Sequence, residues 1–353
     1  MISTLRLQNF RCFDALALEF PESGAVMVGA NAQGKTSILE AVCVMVRLQS
    51  PRSKRMGSLV KVESSGFGVA GNCWGSELQV RYARGKGVGM KVDDDAVLKQ
   101  ADYLRGGGLV VWMGNDDLQL VRGSGSVRRR YLDFLGCQLD HDYRDNLNRY
   151  ARVLKARNIL LKDRHVTGGD RDSEIAAYTE LLVRHGDFLT NARRDLVVAL
   201  GPAASEAQSA VSACDERVRM EYVSGAGDNL RESLEMTSER ERRLGQTVAG
   251  PHRDDVRLSI NGMAANEYAS EGQQRTMVLA LKLAQGELLT KRTGELPVYL
   301  LDDIFGELDT DRRNSLMGEL PQDAQKLITT TNIDWMSNEF TAIQMSDLRG
   351  NQL

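Results

Sequence analysis

Short alternating runs of apolar and polar residues open the chain, and helical periodicity takes over past its first third. Ile2 to Asn9 and Ala15 to Phe20 read as extended segments, and Gly24-Ala25-Val26-Met27-Val28 reads as a short buried strand. A helix is expected from about Thr36 to Leu48. Between Gly57 and Leu98, the segments Gly68 to Trp74, Glu77 to Ala83 and Val88 to Val92 alternate between glycine-marked turns, the pattern of an antiparallel sheet. After Ser126 the period changes. Leu147, Ala151, Leu154, Asn158 and Leu161 trace one helical stripe, and Ile175, Tyr178, Leu182, Leu189, Ala192 and Leu196 trace another. Their connector, Lys162 to Asp172, holds Gly168-Gly169, so a helical hairpin is expected. The stripes read as helix packing rather than as a cofactor box.

Strand character returns near Val248. Val256 to Ile260, Asn261-Gly262 and Met263 form a hairpin signal, because Asn-Gly accepts the positive φ angles of a type I′ turn. A helix from Gln273 to about Lys291 follows, then a buried strand Val298 to Leu301, a helix beginning near Asp311 and a strand Lys326 to Thr330. The helical middle thus interrupts an α/β unit built from both ends. The expected divisions are 1–125 for the first part of that unit with its β flank, 126–245 for the helical lobe, and 246–353 for the second part.

Composition narrows the class without naming it. At 353 residues, 42% hydrophobic and 26% charged, the chain has the make-up of a folded protein of two or three packed units, not of a disordered or fibrous one. Apolar stretches such as Ala41 to Val46 fall far short of the roughly 18–20 residues that cross a bilayer. The start, Met1-Ile2-Ser3-Thr4-Leu5-Arg6, carries no basic leader with an apolar block, so a cytoplasmic protein without a membrane partner is expected. Five scattered cysteines and four scattered histidines give neither a disulfide framework nor a local metal signature. The net charge of −3 attracts no polyanion as a whole, so any nucleic acid must be met by local basic patches. Candidates are Arg52 with Lys54 and Arg55, Arg128 to Arg130, Arg193 with Arg194, and Arg242 with Arg243; each by itself also reads as a solvated face.

The chemistry concentrates in three places. Gly29-Ala30-Asn31-Ala32-Gln33-Gly34-Lys35-Thr36 satisfies the phosphate-loop pattern between an expected strand and an expected helix. Its backbone N–H groups and helix start would cradle phosphates, with Ser37 following. Lys35 would reach the β and γ phosphates of ATP and Thr36 would offer its hydroxyl to Mg²⁺. Val298-Tyr299-Leu300-Leu301-Asp302-Asp303 is an apolar strand ending in two carboxylates. Alone it is also an ordinary strand entering a turn; with the loop upstream, Asp302 reads as the metal-side acid. Asp303 reads as the residue that orients or deprotonates water. Ser270-Glu271-Gly272-Gln273 opens a long helix and makes a second anion-binding helix start.

In that company Ser270 to Gln273 resembles the signature motif of ABC-type ATPases, and over nearly its whole length the chain resembles the RecF recombination-mediator family. The resemblance is carried by Leu5-Arg6-Leu7-Gln8-Asn9-Phe10-Arg11, by Asp117-Leu118-Gln119-Leu120-Val121-Arg122-Gly123 with Arg128 to Asp133, and by Gly250-Pro251-His252-Arg253-Asp254-Asp255. Leu301-Asp302-Asp303 with Gly306-Glu307-Leu308-Asp309 is similar to the family's catalytic strand and D-loop, and Ile328-Thr329-Thr330-Thr331 carries threonines where other ABC ATPases place a switch histidine. The chain departs at Met113-Gly114-Asn115-Asp116, where the family has Phe-x-Pro-Glu before Asp-Leu; this segment bears on coupling to the helical lobe.

The resemblance implies an ABC-type ATPase head with an inserted helical lobe and no long coiled coil. It implies an ATP-dependent homodimer in which Ser270, Gly272 and Gln273 of one copy cover the nucleotide of the other. It further implies weak, DNA-stimulated hydrolysis, gapped duplex or a single-strand/double-strand junction as substrate, and RecR- and RecO-like partners in DNA repair and replication. Two readings of other classes share the motifs: a nuclease-associated or defence ATPase of the SMC-like group, and a transporter nucleotide-binding subunit, which normally carries the switch histidine.

Overall fold

The computed structural model describes residues 1–53, 55–162, 169–212, 214–333 and 340–348. Two compact units result: residues 1–117 with 285–353, and residues 118–284. The second unit therefore runs wider than the expected 126–245, because the strand pair Val218–Val223 and Asp255–Ile260 pairs within it and packs on its helices.

In the first unit five parallel strands lie in the order Thr341–Gln344, Gly24–Val28, Lys326–Thr330, Val298–Asp302 and Val110–Gly114. Gly24–Val28, Lys326–Thr330 and Val110–Gly114 are buried at every position, which is why they read as continuous apolar runs rather than alternations. Val110–Gly114 escaped the sequence reading although Leu109-Val110-Val111-Trp112-Met113 is such a run. The expected antiparallel flank is present, in the order Phe13–Glu19, Thr4–Phe10, Gly66–Cys73, Ser76–Ala83, Gly87–Val92 and Asp95–Val97. The helix Lys35–Arg47 contacts strands of both sheets, and so is buried on nearly every side. Gly34, at φ 94°, starts it and Leu48, at φ 53°, ends it.

The second unit is built on the helices Gly125–Leu139, His141–Lys162, Gly169–Ser212 and Leu230–Leu244. Part of the expected connector, 163–168, lies outside the described residues, as does Lys54. The second stripe is the buried one expected, through Ile175, Leu182, Leu189 and Leu196. In the first, Leu161 is buried and Leu147 and Leu154 pack on the core as expected, but Ala151 is exposed and the buried line is carried by Tyr143, Tyr150, Val153 and Arg157. Large amphipathic side chains displace the alanine because their polar ends find partners inside. Tyr143 Oη donates to Asp133 Oδ1 at 2.7 Å, and Arg157 reaches Glu241 at 2.7 Å. The hairpin turn forms as expected, with Asn261 at φ 49° and Gly262 at φ 83°. Among the described residues no helix is long and apolar enough to cross a membrane.

Candidate functional site

Parallel sheets expose their ligand-facing loops at the carboxyl ends of the strands. Two such loops carry the predicted chemistry. Gly29 to Ser37 follow the strand Gly24–Val28, while Asp302 and Asp303 end and follow Val298–Asp302; the strand Lys326–Thr330 lies between. The register places Thr329 beside Asp302, and this fixes the centre of the site. Thr36 Oγ1 donates to Asp302 Oδ1 at 2.7 Å and Thr329 Oγ1 donates to the same oxygen at 2.9 Å. Thr329 had been noted only for the position of a switch histidine; its link to Asp302 depends on sheet order, which no local motif reveals.

The loop itself is bent by Ala32 at φ 64° and Gly34 at φ 94°. A Cβ at Gly34 would also come within 2.6 Å of Phe13 and 2.7 Å of Cys12 Sγ, so glycine is required there twice over. Gln33 folds its amide back over Gly29, leaving Oε1 buried without a partner. Lys35 is buried and turns its ammonium onto the carbonyls of Gly29 and, at 3.0 Å, Ala30. Burial pushes its pKa below the ordinary lysine value, with the charges of Asp303 and Asp302 acting against the shift.

Burial likewise raises the pKa of Asp302, opposed by the hydrogen bonds from Thr36 and Thr329. Asp303 sits in the left-handed region at φ 54° and donates its backbone N–H to Thr329 O and Oγ1. Its Oδ1 is buried and has no hydrogen-bond partner. An open cavity of about 640 Å³ runs along the loop from Asn31 to Ser37, with Asp303, Arg11, Cys12, Arg52 and Val62 on its walls. Arg11 is held there by a two-pronged ion pair to the fully buried Glu40, at 2.8 Å for each contact. Arg52, read from sequence as a nucleic-acid candidate, lines this cavity and lies 3.8 Å from Asp116.

Hydroxyl and carboxylate oxygens converging beside a glycine-rich helix start are the hard donors that suit a magnesium–triphosphate. The donor set fits ATP and Mg²⁺.

Ser270, Gly272 and Gln273 form a second group, at the start of the helix Glu271–Thr293. Ser270 N donates to Gln273 Oε1 at 2.8 Å and Gln273 N donates to Ser270 Oγ at 3.2 Å, a reciprocal capping box. Ser270 is exposed, and Gln273 Nε2 is further tied to Glu216 Oε1 at 2.9 Å.

Three of the other expected basic groups are engaged internally. Arg128 makes a two-pronged contact to Asp255, at 2.7 and 2.9 Å, Arg129 reaches Asp254 O, and Arg193 is buried between Asp133 and Asp254. The Gly250 to Asp255 segment is the hub of that network. His252 Nε2 lies 3.1 Å from Thr247 O and so carries the proton, while Nδ1 accepts from Tyr150 Oη at 2.7 Å.

Known proteins resemble this chain over nearly its whole length. The AAA domain family model matches residues 4–182. The DNA replication and repair protein RecF of Symbiobacterium thermophilum is 37% identical, over 97% of this chain and 94% of the relative. That of Exiguobacterium sp. is 34% identical, over 96% and 94%.

This chain belongs to the RecF family of DNA replication and repair proteins.

A solved structure of the recombination mediator RecF with ATP, in the RecFOR pathway, superposes with a TM-score of 0.85 at 29% identity, over 95% of this chain and 93% of that one. An SMC head bound to the winged-helix domain of ScpA superposes at 0.52 and 14% identity, a likeness of fold alone. The fold is thus the α/β ABC-type ATPase head that RecF shares with SMC proteins, with a helical lobe inserted. The recombination-mediator role expected from the resemblance is the role of this family.

Proposed function

We propose that this RecF-family protein is an ATP-driven DNA clamp of the cytoplasm, with slow, DNA-stimulated hydrolysis as its release step. The observation that carries the reading is the convergence of Thr36, Asp302 and Thr329 beside the phosphate loop, with the free Oδ1 of Asp303 in the same cavity. The loop amides of Gly29 to Thr36 bind the phosphates, and Lys35 leaves its carbonyl partners to meet the terminal ones. Thr36 and Asp302 hold Mg²⁺, which supplies charge neutralisation at the phosphates. Asp303 accepts the proton of the attacking water.

Ser270, Gly272 and Gln273 of a second copy complete the site, so that ATP closes a homodimer and its loss reopens it. Only contacts made in the closed state and not in the open one can shift that equilibrium, and the γ-phosphate is the group that ADP lacks. The substrate is gapped duplex at a single-strand/double-strand junction, and the partners are RecR- and RecO-like; the RecFOR pathway of the ATP-bound structural relative supports the choice of partners. The Lys35→Met variant tests the reading. Its affinity for a fluorescent ATP analogue is expected to fall at least about tenfold, as the loss of a charge-assisted contact worth roughly 1.5–3 kcal/mol requires. Unchanged affinity would remove the phosphate-loop assignment.

A further inference from the structure

The antiparallel flank presents an outward face that the sequence reading left without a role. Across it the register aligns Gln8, Gly68, Arg81 and Gly89 in one row, and Arg6, Ala70, Gln79 and Lys91 in the next. The two rows differ in charge balance. In the second, Arg6 is paired with Glu77, and Lys91 lies 3.8 Å from Asp94. Beyond that row Glu77, Asp93 and Asp94 line an acidic recess.

At the other end the strands Ser76–Ala83 and Gly87–Val92 are joined by the three-residue turn Arg84-Gly85-Lys86, with Gly85 at φ 79° and Gly87 at φ 87°. Arg81, Arg84 and Lys86 are all exposed there, and none has an ion-pair partner among the described residues. A groove of about 430 Å³ runs beside them with no carboxylate on its walls. Gly66, Gly68, Gly87 and Gly89 line it and flank Ala83 and Arg81 on both sides. With glycine on either side of Arg81 and Ala83, few side chains stand between a bulky polyanion and these cations.

We propose that this groove and its cationic hairpin turn are a contact surface for the phosphate backbone of duplex DNA. The assignment rests on the reading of the protein as a DNA-binding ATPase and names where that binding occurs. Two observations favour nucleic acid over an extended peptide. The walls of the groove hold Arg81 and Lys86 and no carboxylate, so nothing in it cancels the charge that attracts a polyanion. The charge along the face is one-sided, cationic at the turn and acidic at the far end, as backbone recognition requires. The internal engagement of Arg128, Arg129 and Arg193 removes three of the cations that the sequence offered elsewhere.

The test is fluorescence anisotropy of a short labelled duplex across a salt series, with ATP present, for the full chain and for the triple variant Arg81→Ala, Arg84→Ala, Lys86→Ala. The slope of log affinity against log salt is expected to become shallower by about 0.9 for each phosphate contact removed. Binding of a fluorescent ATP analogue is expected to stay unchanged. The pair Arg81→Lys, Arg84→Lys should retain the wild-type slope, since phosphate accepts either cation. Should the triple variant lose nucleotide binding as well, Lys86→Glu alone decides, at an exposed turn between two glycines. An unaltered slope and affinity in the triple variant, beside a wild-type protein that does bind duplex, overturns this surface and leaves the clamp reading standing. Failure of the wild-type protein to bind duplex overturns both. Loss of binding to polyglutamate with duplex binding intact also overturns the proposal, reassigning the turn to an acidic protein partner.

Discussion

Adjacent carboxylates usually compete for the same surroundings, and at Asp302 and Asp303 the backbone separates them. Asp302 ends a strand and is held by two threonine hydroxyls; Asp303 turns into the left-handed region and leaves Oδ1 free. That conformation costs an ordinary residue about 1–2 kcal/mol, and aspartate is among those that tolerate it best. The two N–H bonds to Thr329 hold it. Asp303→Asn keeps shape and turn but cannot take a proton, so turnover should fall about 10²–10⁴-fold while ATP affinity persists. Rapid-quench hydrolysis measures this, and undiminished turnover would move the base elsewhere. The loop and both acids were legible in sequence because each is contiguous. Thr329 and Arg11 were not, because a neighbouring strand and a buried glutamate bring them in. Charge runs misled for a related reason: a sequence counts guanidinium groups but cannot show that Arg128 is already spent on Asp255.

Among the elements, strands and caps followed local rules and the helical stripe did not. Gly24–Val28 and Lys326–Thr330 matched their expected spans, since a strand buried on both faces is marked by its apolar run. On His141–Lys162 the buried Tyr143, Tyr150 and Arg157 lie outside the expected stripe, because their polar ends find partners within the fold. The same region makes stability depend on pH. His252 is partly buried and neutral, and desolvation lowers its pKa to about 4. An unfolded histidine titrates near 6.5, so between these values the unfolded chain binds the proton and the native one does not. Stability is therefore complete above about pH 6.5 and is lost as pH falls toward 4, by about 3 kcal/mol from this group. Denaturant unfolding of His252→Gln, which cannot titrate, should show a flatter decline than wild type across that window. Identical slopes would show that His252 takes no part in acid unfolding.

For the molecule as a whole the sequence supplied the order of the motifs, the fold supplied the phosphate-loop cavity, and the proposed closing of two copies is the step that would join them to function. Moving a population from about 1% to about 99% closed requires about 5.5 kcal/mol of differential binding. Divided between two identical sites, this is one or two charge-assisted hydrogen bonds each, at roughly 1.5–3 kcal/mol apiece. The γ-phosphate and the exposed start of the helix Glu271–Thr293 are sufficient on that scale, and a slow hydrolysis step suffices to undo it. On the proposed clamp, Ser270 bears on assembly rather than on the affinity of a single copy for nucleotide. Light scattering of the purified protein without nucleotide, with ADP and with ATP, beside the Ser270→Arg variant, tests this most directly. The account predicts a dimer mass for wild type with ATP alone, and a monomer for Ser270→Arg that still binds ATP. A wild-type protein that remains monomeric when saturated with ATP, or a Ser270→Arg protein that dimerises with it, would contradict the clamp.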